Sequence, residues 1–195
     1  MLLNEKMPEI FIIAGCNGAG KTTAAYTLLP NVFNTSEFIN ADEIARGINP
    51  ENVEAAAFSA GKIMLQKIDY LIETKKSFAF ETTLSGNNYF EIIKAAKNNG
   101  FTVTLLFVYI ESFELAIERV ALRVLKGGHH IPNNTIERRY FKGLKNLKKY
   151  ILIVDEWYIL DNSKSEYSII AKSLKEEREI DNFDKFNFIY NYGYQ

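Results

Sequence analysis

Short apolar runs alternate along the chain with longer segments in which apolar residues recur every three or four positions. The runs at 9–14, 77–80 and 101–110 are rich in β-branched and aromatic side chains, which is typical of strands buried on both faces of a sheet. Helical periodicity predicts amphipathic helices, of which the segment 51–76 is the longest. Further helices are predicted over 20–29, 42–46, 88–98, 112–126 and 134–149, and further short strands over 38–40, 157–160 and 168–171.

Strands that alternate with helices usually form a parallel sheet, because each helix returns the chain to the same edge of the sheet. The pattern therefore predicts an α/β fold of three layers, with a mostly parallel sheet of about five or six strands between helices on both faces. The 195 residues, 47% hydrophobic and 24% charged, fit one domain over 1–195 and exclude a disordered or disulfide-scaffold protein. The absence of a roughly 18-residue apolar run, of a signal-peptide pattern and of a second cysteine predicts a cytoplasmic location without a membrane partner.

Positive charge is concentrated in one segment of a chain whose net charge is only −1. Residues 119–149 include nine basic residues and one acidic residue, and they carry four of the six arginines. Such a segment attracts anions, phosphate above all, although a solvated helix face is the alternative for its lysines. The glycine pair at 127–128 predicts a hinge, which makes about 119–149 an arginine-rich helical lid. Arg138 or Arg139 is the candidate to neutralise a transferring phosphoryl group, and Arg119 and Arg123 lie four positions apart on one face of the preceding helix.

The segment between the first strand and the first helix satisfies the phosphate-loop pattern, a glycine and four residues followed by glycine, lysine and threonine. Its glycines let backbone N–H groups point at a phosphate, and the following helix directs its positive end there. Lys21 is expected to bridge the β- and γ-phosphates of ATP, and the Thr22 hydroxyl to bind Mg²⁺. Cys16, near a helix N-terminus, is expected to have a lowered thiol pKa, although a small loop-filling residue is the simpler interpretation. The predicted nucleotide-binding residues are Gly15, Cys16, Asn17, Gly18, Ala19, Gly20, Lys21, Thr22 and Thr23.

Two acidic residues follow predicted strands at the edge of the sheet where the phosphate loop lies. Asp42 is a candidate general base for an acceptor hydroxyl, and Glu81 is expected to bind that acceptor or a magnesium-bound water. A helix cap or a turn is the structural alternative for each of them. Asp155 and Glu156, after the apolar run 150–154, resemble the strand-end acids of an ATPase motor, but they follow a lysine-rich helix without a break. We therefore favour a kinase over a motor.

The motifs between residues 9 and 163 jointly resemble those of the zeta toxin family. The matching segments are the phosphate loop, 38–45, 80–86, 123–129, 131–132, 138–147 and 161–163. The resemblance implies a P-loop kinase that uses ATP and Mg²⁺ to phosphorylate a hydroxyl group of a nucleotide sugar such as UDP-N-acetylglucosamine. It also implies that a small antitoxin protein neutralises the enzyme.

The resemblance further implies a role for individual residues, carried over by their positions in the motifs. Asp42 would be the general base, and Lys21 and Thr22 would hold ATP and Mg²⁺. The remaining roles would be contacts to the acceptor from Glu81 and Thr83, lid arginines from Arg123 and either Arg138 or Arg139, and a place near the adenine for Asn162.

Two other function classes stay open from the residues alone. An ATP-binding regulator or NTPase without a phosphoryl acceptor would have no use for lid arginines. A kinase of nucleic-acid 5′-hydroxyl groups would need aromatic side chains to stack bases, yet 119–149 has only Tyr140 and Phe141. A small-molecule acceptor is therefore the expected partner, and nucleic acid is not.

Overall fold

A computed structural model describes residues 7–32, 37–174 and 177–192 of the chain. Helices and strands alternate along it, and the chain ends in a small antiparallel extension and a helix. The elements are β1 Glu9–Ala14, α1 Lys21–Val32, β2 Phe38–Ile39, α2 Ala41–Ile48, α3 Val53–Glu73, β3 Phe78–Thr82, α4 Asn88–Asn98, β4 Thr102–Tyr109, α5 Phe113–Leu125, α6 Asn133–Ile151, β5 Glu156–Asp161, β6 Ser168–Leu174, β7 Glu177–Ile180 and α7 Phe183–Tyr190.

One seven-stranded sheet in the order β2-β3-β1-β4-β5-β6-β7 forms the centre of the fold. The first five strands in this order are parallel, and β6 and β7 are antiparallel. The predicted α/β class with a mostly parallel sheet is confirmed, but β7 was missed. Its sequence, Glu-Arg-Glu-Ile, is exposed over three of its four residues, so it shows neither an apolar run nor an alternating pattern.

The central strands β1 and β4 are buried along almost their whole length, because helices cover both faces of the sheet. Met64, Ile68 and Leu71 of α3 join the same hydrophobic core as the strands, and the residues of α1, α4, α5 and α6 that face inward complete it. In the extension, Phe186 of α7 stacks on Trp157 of β5 with ring centroids 6.0 Å apart. Phe186 thus extends the hydrophobic core into the C-terminal helix. In the part of the chain that the structure describes, no helix is both long and apolar enough to span a membrane.

One local prediction, the end of α1, was wrong, and the strand-end position considered for Asp155 is also excluded. The helix predicted over 20–29 was expected to end before Pro30, but the backbone stays helical to Val32. The fixed φ of proline, about −65°, is compatible with a helix, and only its missing N–H and the contact of its ring with the preceding turn oppose it. Asp155 was considered as a strand-end acid, but it precedes β5 because α6 extends to Ile151. Its carboxylate accepts a hydrogen bond from the N–H of Val103 at 2.8 Å, at the amino end of β4. Asp155 therefore lies at the edge of the sheet opposite the phosphate loop, which removes the motor interpretation.

The predicted lid divides into a helix that packs on the core, α6, and a more exposed part that precedes it. The face of α6 from Ile136 to Ile151 is part of the core, and a Cβ atom at Gly143 would lie 2.8 Å from the carbonyl oxygen of Thr83. Tyr150 donates a hydrogen bond to the carbonyl of Gly86 at 3.0 Å, which fixes the end of the helix. The exposed part of the predicted lid therefore includes the end of α5, from Ala121 to its C-cap Lys126, and much of the connection to α6.

Candidate functional site

The phosphate loop connects β1 to α1 at the carboxyl edge of the sheet, and α1 begins at Lys21 as predicted. Gly15 and Gly20 have φ angles of +142° and +92°, which side chains rarely adopt. A Cβ atom at Gly15 would lie 2.4 Å from the carbonyl oxygen of Val108, and one at Gly20 would lie 2.4 Å from Nδ2 of Asn162. The loop therefore packs too tightly against β4 and the end of β5 for any residue but glycine at these positions.

Lys21 holds a buried ammonium group inside this loop, since only 6% of the residue is exposed. Its Nζ donates a hydrogen bond to the carbonyl of Cys16 at 3.0 Å and forms an ion pair with Oε1 of Glu81 at 3.4 Å. A buried charge needs such partners. Phosphate oxygens would supply the same kind of partner, so the residues fit a bound nucleoside triphosphate.

Glu81 is the centre of a hydrogen-bonded network at the carboxyl end of β3. Its Oε2 accepts hydrogen bonds from the Thr22 hydroxyl at 2.7 Å and from Nδ2 of Asn40 at 3.0 Å. The Oδ1 of Asn40 in turn accepts from the backbone N–H of Asp42 at 2.8 Å and caps α2. Asn40 was not predicted as a site residue, although an asparagine two positions before the candidate base, at the start of a predicted helix, was the available signal.

Thr22 and Glu81 also fit a magnesium ion. The hydroxyl and the carboxylate are hard oxygen donors, and Mg²⁺ commonly takes one or two protein oxygens together with water and phosphate. Within the described ranges, no group of three or more His, Cys, Asp or Glu residues is placed to hold a metal ion. The Thr22 hydroxyl and the Glu81 carboxylate could serve a metal ion that takes its other ligands from water and phosphate.

Three adjoining cavities meet at Asp42, the second residue of α2. The loop cavity, of about 190 Å³, is lined by the phosphate loop with Arg119 and Arg123. The edge cavity, of about 280 Å³, lies beyond the carboxyl end of β3 and extends to Tyr89. The helix cavity, of about 160 Å³, lies between α2, α3 and the start of α6, with His129 in its wall. Asn40 caps α2, so the structural alternative for Asp42, a helix cap, does not apply.

The structure separates the two neighbouring arginines of α6. Arg139 donates from Nη1 to Oδ1 of Asn17 in the phosphate loop at 3.0 Å and borders the edge and helix cavities. Burial lowers the pKa of Arg139, and the nearby Asp42 carboxylate opposes this shift. Arg138 is exposed and lines none of the three cavities, because adjacent residues of a helix point about 100° apart. Of the two candidates, only Arg139 faces the site.

Two arginines of α5 flank the loop cavity from the other side. Arg123, a predicted lid arginine, is exposed and donates from Nη2 to the carbonyl of His129 at 3.4 Å. Arg119 donates from Nη2 to the carbonyl of Ser163 at 3.3 Å. Its side chain was not among the predicted site residues, although its spacing of four positions from Arg123 places both on one face of α5.

The two predicted site residues that remain are Thr83, in the wall of the edge cavity, and Asn162, which contacts the phosphate loop. Thr83 and Ser85 share a hydrogen bond of 2.8 Å between their hydroxyl groups in the wall of the edge cavity. Asn162 donates from Nδ2 to the carbonyl of Ala19 at 2.8 Å and so helps to hold the phosphate loop in place. A contact of Asn162 with an adenine base stays a prediction.

Cys16 contradicts one expectation. Burial raises the pKa of its thiol to about 11, and the favourable charge of Lys21 only partly offsets this effect. The thiol is 5% exposed, so the cost of desolvating a thiolate outweighs the helix N-terminus. Cys16 is a buried loop-filling residue, which was the simpler of the two interpretations.

A parallel sheet with a phosphate loop at its carboxyl edge, and arginines from two later helices around that loop, define the P-loop kinase type of fold. The chain belongs to the zeta toxin family, whose model, described as "Zeta toxin", matches residues 2–172. An uncharacterized protein of Haemophilus influenzae is 36% identical over 129 residues, which cover 65% of this chain and 88% of that protein.

Two solved structures have the same fold at low sequence identity. A chain of the AvrRxo1-ORF1:-ORF2 complex with ATP superimposes with a TM-score of 0.74 at 16% identity and covers 96% of this chain. This chain spans 64% of that one, which is less than two thirds of its length. A chain from the PezAT toxin-antitoxin system of Streptococcus pneumoniae superimposes with a TM-score of 0.65 at 19% identity, over 96% of this chain and 79% of that one.

Proposed function

We propose that the protein is a kinase that transfers the γ-phosphoryl group of ATP to a hydroxyl group of a small acceptor. The observation that carries this proposal is that the loop cavity and the edge cavity share Lys21, Asp42 and Glu81 in their walls. A phosphoryl group in the first cavity would therefore face a hydroxyl group in the second. The membership in the zeta toxin family supports the same reaction class.

The nucleotide would bind with its phosphates in the phosphate loop. There the ammonium of Lys21 would exchange its pairing with Glu81 for the β- and γ-phosphates, and the N-terminus of α1 would add its positive end. Arg119 and Arg123 border the loop cavity and would neutralise the charge on the phosphoryl group. Mg²⁺, held by Thr22 with Glu81 beside it, would shield the negative charge of the β- and γ-phosphates.

Asp42 is the base in this proposal. As the acceptor oxygen bonds to the γ-phosphorus, its proton would pass to the Asp42 carboxylate, and the bond from phosphorus to the bridging oxygen of ADP would break. The side chain of Asp42 is 43% exposed toward the cavities, and its position after β2 is set by the capped start of α2. Arg139, anchored on Asn17, would orient the acceptor from the opposite wall.

For the acceptor we propose a nucleotide sugar, with UDP-N-acetylglucosamine as the first compound to test. The outer wall of the edge cavity offers neutral polar groups that suit the hydroxyl groups of a sugar: Thr83, Ser85, Asn88 and Tyr89. We also propose a small antitoxin protein as a partner. This is supported by the family, and by the PezAT neighbour, which belongs to a toxin-antitoxin system.

The variant Asp42→Asn tests the proposal. We expect kcat to fall by about 100-fold or more, since a general base contributes this much, while the Kd for ATP stays within about twofold. Glu43→Gln is the matched control, because Glu43 is exposed on the same turn of α2 and bonds to Tyr26. An Asp42→Asn variant with wild-type kcat would refute the assignment of the base. ATP binding without turnover of any acceptor would favour a regulator, and phosphorylation of a 5′-hydroxyl RNA would favour a nucleic-acid kinase.

A further inference from the structure

His129 lies between the glycine pair at 127–128 and the start of α6, with its ring directed at Asp42. The side chain is 16% exposed, and its Nε2 is 4.0 Å from Oδ2 of Asp42. The other ring nitrogen, Nδ1, is buried and has no hydrogen-bond partner among the described residues. None of the sequence motifs gives this ring a role, so its approach to the candidate base is a finding of the structure.

The environment of the ring selects one protonation state. A charged imidazolium would place an N–H donor at Nδ1, where no acceptor is available, whereas the neutral ring with its proton on Nε2 leaves only a lone pair there. Burial also lowers the pKa of His129, against the opposing effect of Asp42, and so favours the neutral ring. The group that faces Asp42 is therefore an uncharged N–H donor.

The backbone around His129 brings the ring to this position. Gly127 has a φ of +87°, and a Cβ atom at Gly128 would lie 2.7 Å from Cγ of Arg123, so the chain turns closely around the end of α5. Arg123 donates from Nη2 to the carbonyl of His129 at 3.4 Å, and the same side chain borders the loop cavity. A nucleotide in that cavity would therefore act on the segment that carries His129.

We propose that His129 is a positioning residue, whose neutral Nε2–H group closes on Oδ2 of Asp42 when substrates bind and orients the carboxylate toward the acceptor hydroxyl. At 4.0 Å the contact is too long for a hydrogen bond, but hydrogen bonds at a catalytic centre often shorten only in the substrate complex. Arg123 links this closure to the occupancy of the loop cavity. The inference rests on the proposed function, because the base that His129 positions is the one assigned there.

Kinetics of three variants separate positioning from a structural role. In His129→Ala we expect kcat to fall about 10- to 100-fold while the Kd for ATP changes by less than about twofold, since a misplaced base slows only the transfer step. His129→Gln keeps a side-chain N–H donor and is expected to regain most of this loss. His130→Ala is the matched control, because His130 is the exposed neighbour and should leave kcat unchanged. Equal losses in the Ala and Gln variants, or wild-type kcat in His129→Ala, would overturn the inference.

An independent readout needs no turnover. The chain has two histidines, so ¹⁵N NMR of the imidazole rings resolves both, and His130→Ala assigns them. At neutral pH we expect His129 to show the neutral form protonated at Nε2, with nitrogen shifts that change on addition of Mg-ATP and no longer respond in Asp42→Ala. A charged ring, a proton on Nδ1, or shifts that ignore both Mg-ATP and Asp42 would contradict the inference. These spectra of the wild type also decide the matter if His129→Ala fails to fold.

The two proposals fail in different ways. Wild-type activity of Asp42→Asn would remove the base and with it the proposed function. An inactive Asp42→Asn together with a fully active His129→Ala would leave the proposed function in place and remove only the role of His129.

Discussion

Replacing Glu81 by glutamine should destabilise the protein without nucleotide. Oε2 of Glu81 accepts both the Thr22 and the Asn40 hydrogen bonds, so a glutamine carbonyl oxygen at that position can keep them. The amide NH₂ would then replace Oε1, which lies 3.4 Å from Nζ of Lys21, and would place a donor against a cation. The change is therefore confined to one ion pair, whose side chains are only 7% and 10% exposed.

The expected magnitude follows from this burial. Removing one partner of a buried ion pair costs about 3–5 kcal/mol, and we expect the lower end, about 3 kcal/mol, because Lys21 keeps its hydrogen bond to the carbonyl of Cys16. For a chain of this size, about 1 kcal/mol shifts Tm by roughly 2–4 °C, so the expected decrease is about 6–12 °C. Mg-ATP should reduce the difference in Tm between the variant and the wild type, because its phosphates supply the missing partner of Lys21.

Thermal unfolding followed by circular dichroism, with and without Mg-ATP, measures both effects. Glu91→Gln is the matched control, since it breaks an exposed ion pair with Lys94 on α4 and should change Tm by less than about 2 °C. A ligand-free Glu81→Gln variant that melts within about 2 °C of the wild type would show that this ion pair does not stabilise the phosphate loop. A large decrease that Mg-ATP leaves unchanged would show instead that the phosphates do not replace Glu81 at Lys21.

Three further predictions follow from the surroundings of individual residues. Arg139→Ala should lower kcat by about 100-fold, because the guanidinium of Arg139 borders the edge cavity. In Arg138→Ala, which changes an exposed residue, kcat should stay within about twofold of the wild type, and steady-state kinetics measure both variants. Because the pKa of the Cys16 thiol is raised to about 11, the thiol is protonated at pH 8, and intact-mass analysis should show alkylation by iodoacetamide only after unfolding in urea. Gly15→Ala should abolish ATP binding in calorimetry, because its Cβ atom would lie 2.4 Å from a backbone carbonyl oxygen of β4. Gly61→Ala is its control, since a Cβ atom there meets nothing within 4 Å, and ATP binding by Gly15→Ala would contradict the predicted collision.

The sequence predicted those parts of the fold and site that depend on local patterns. Buried parallel strands are apolar throughout, and the phosphate loop has a fixed spacing, so β1, α1 and the position of Lys21 were predictable. Asp42 and Glu81 were found because parallel strands present their carboxyl ends at one edge of the sheet. All these inferences need only the order of elements along the chain.

The remaining features depend on packing between distant segments. The choice between Arg138 and Arg139 requires the rotation of α6 about its axis, which the burial of Tyr140 and Leu144 in the core sets. The location of Asp155 depended on where α6 ends, and an apolar run after a helix is equally compatible with one more helical turn or a strand. The pKa of Cys16 depended on the burial of its side chain, which no motif shows.

Mass spectrometry of the reaction products shows whether the protein transfers a phosphoryl group to a defined hydroxyl group. Purified protein would be incubated with Mg-ATP and UDP-N-acetylglucosamine among other nucleotide sugars, with Lys21→Ala as the blank. We expect ADP together with one nucleotide sugar that has gained a phosphoryl group, formed by the wild type and absent from the blank. ATP that binds but yields neither a phosphorylated nucleotide sugar nor any other phosphorylated hydroxyl compound would contradict the proposed transfer.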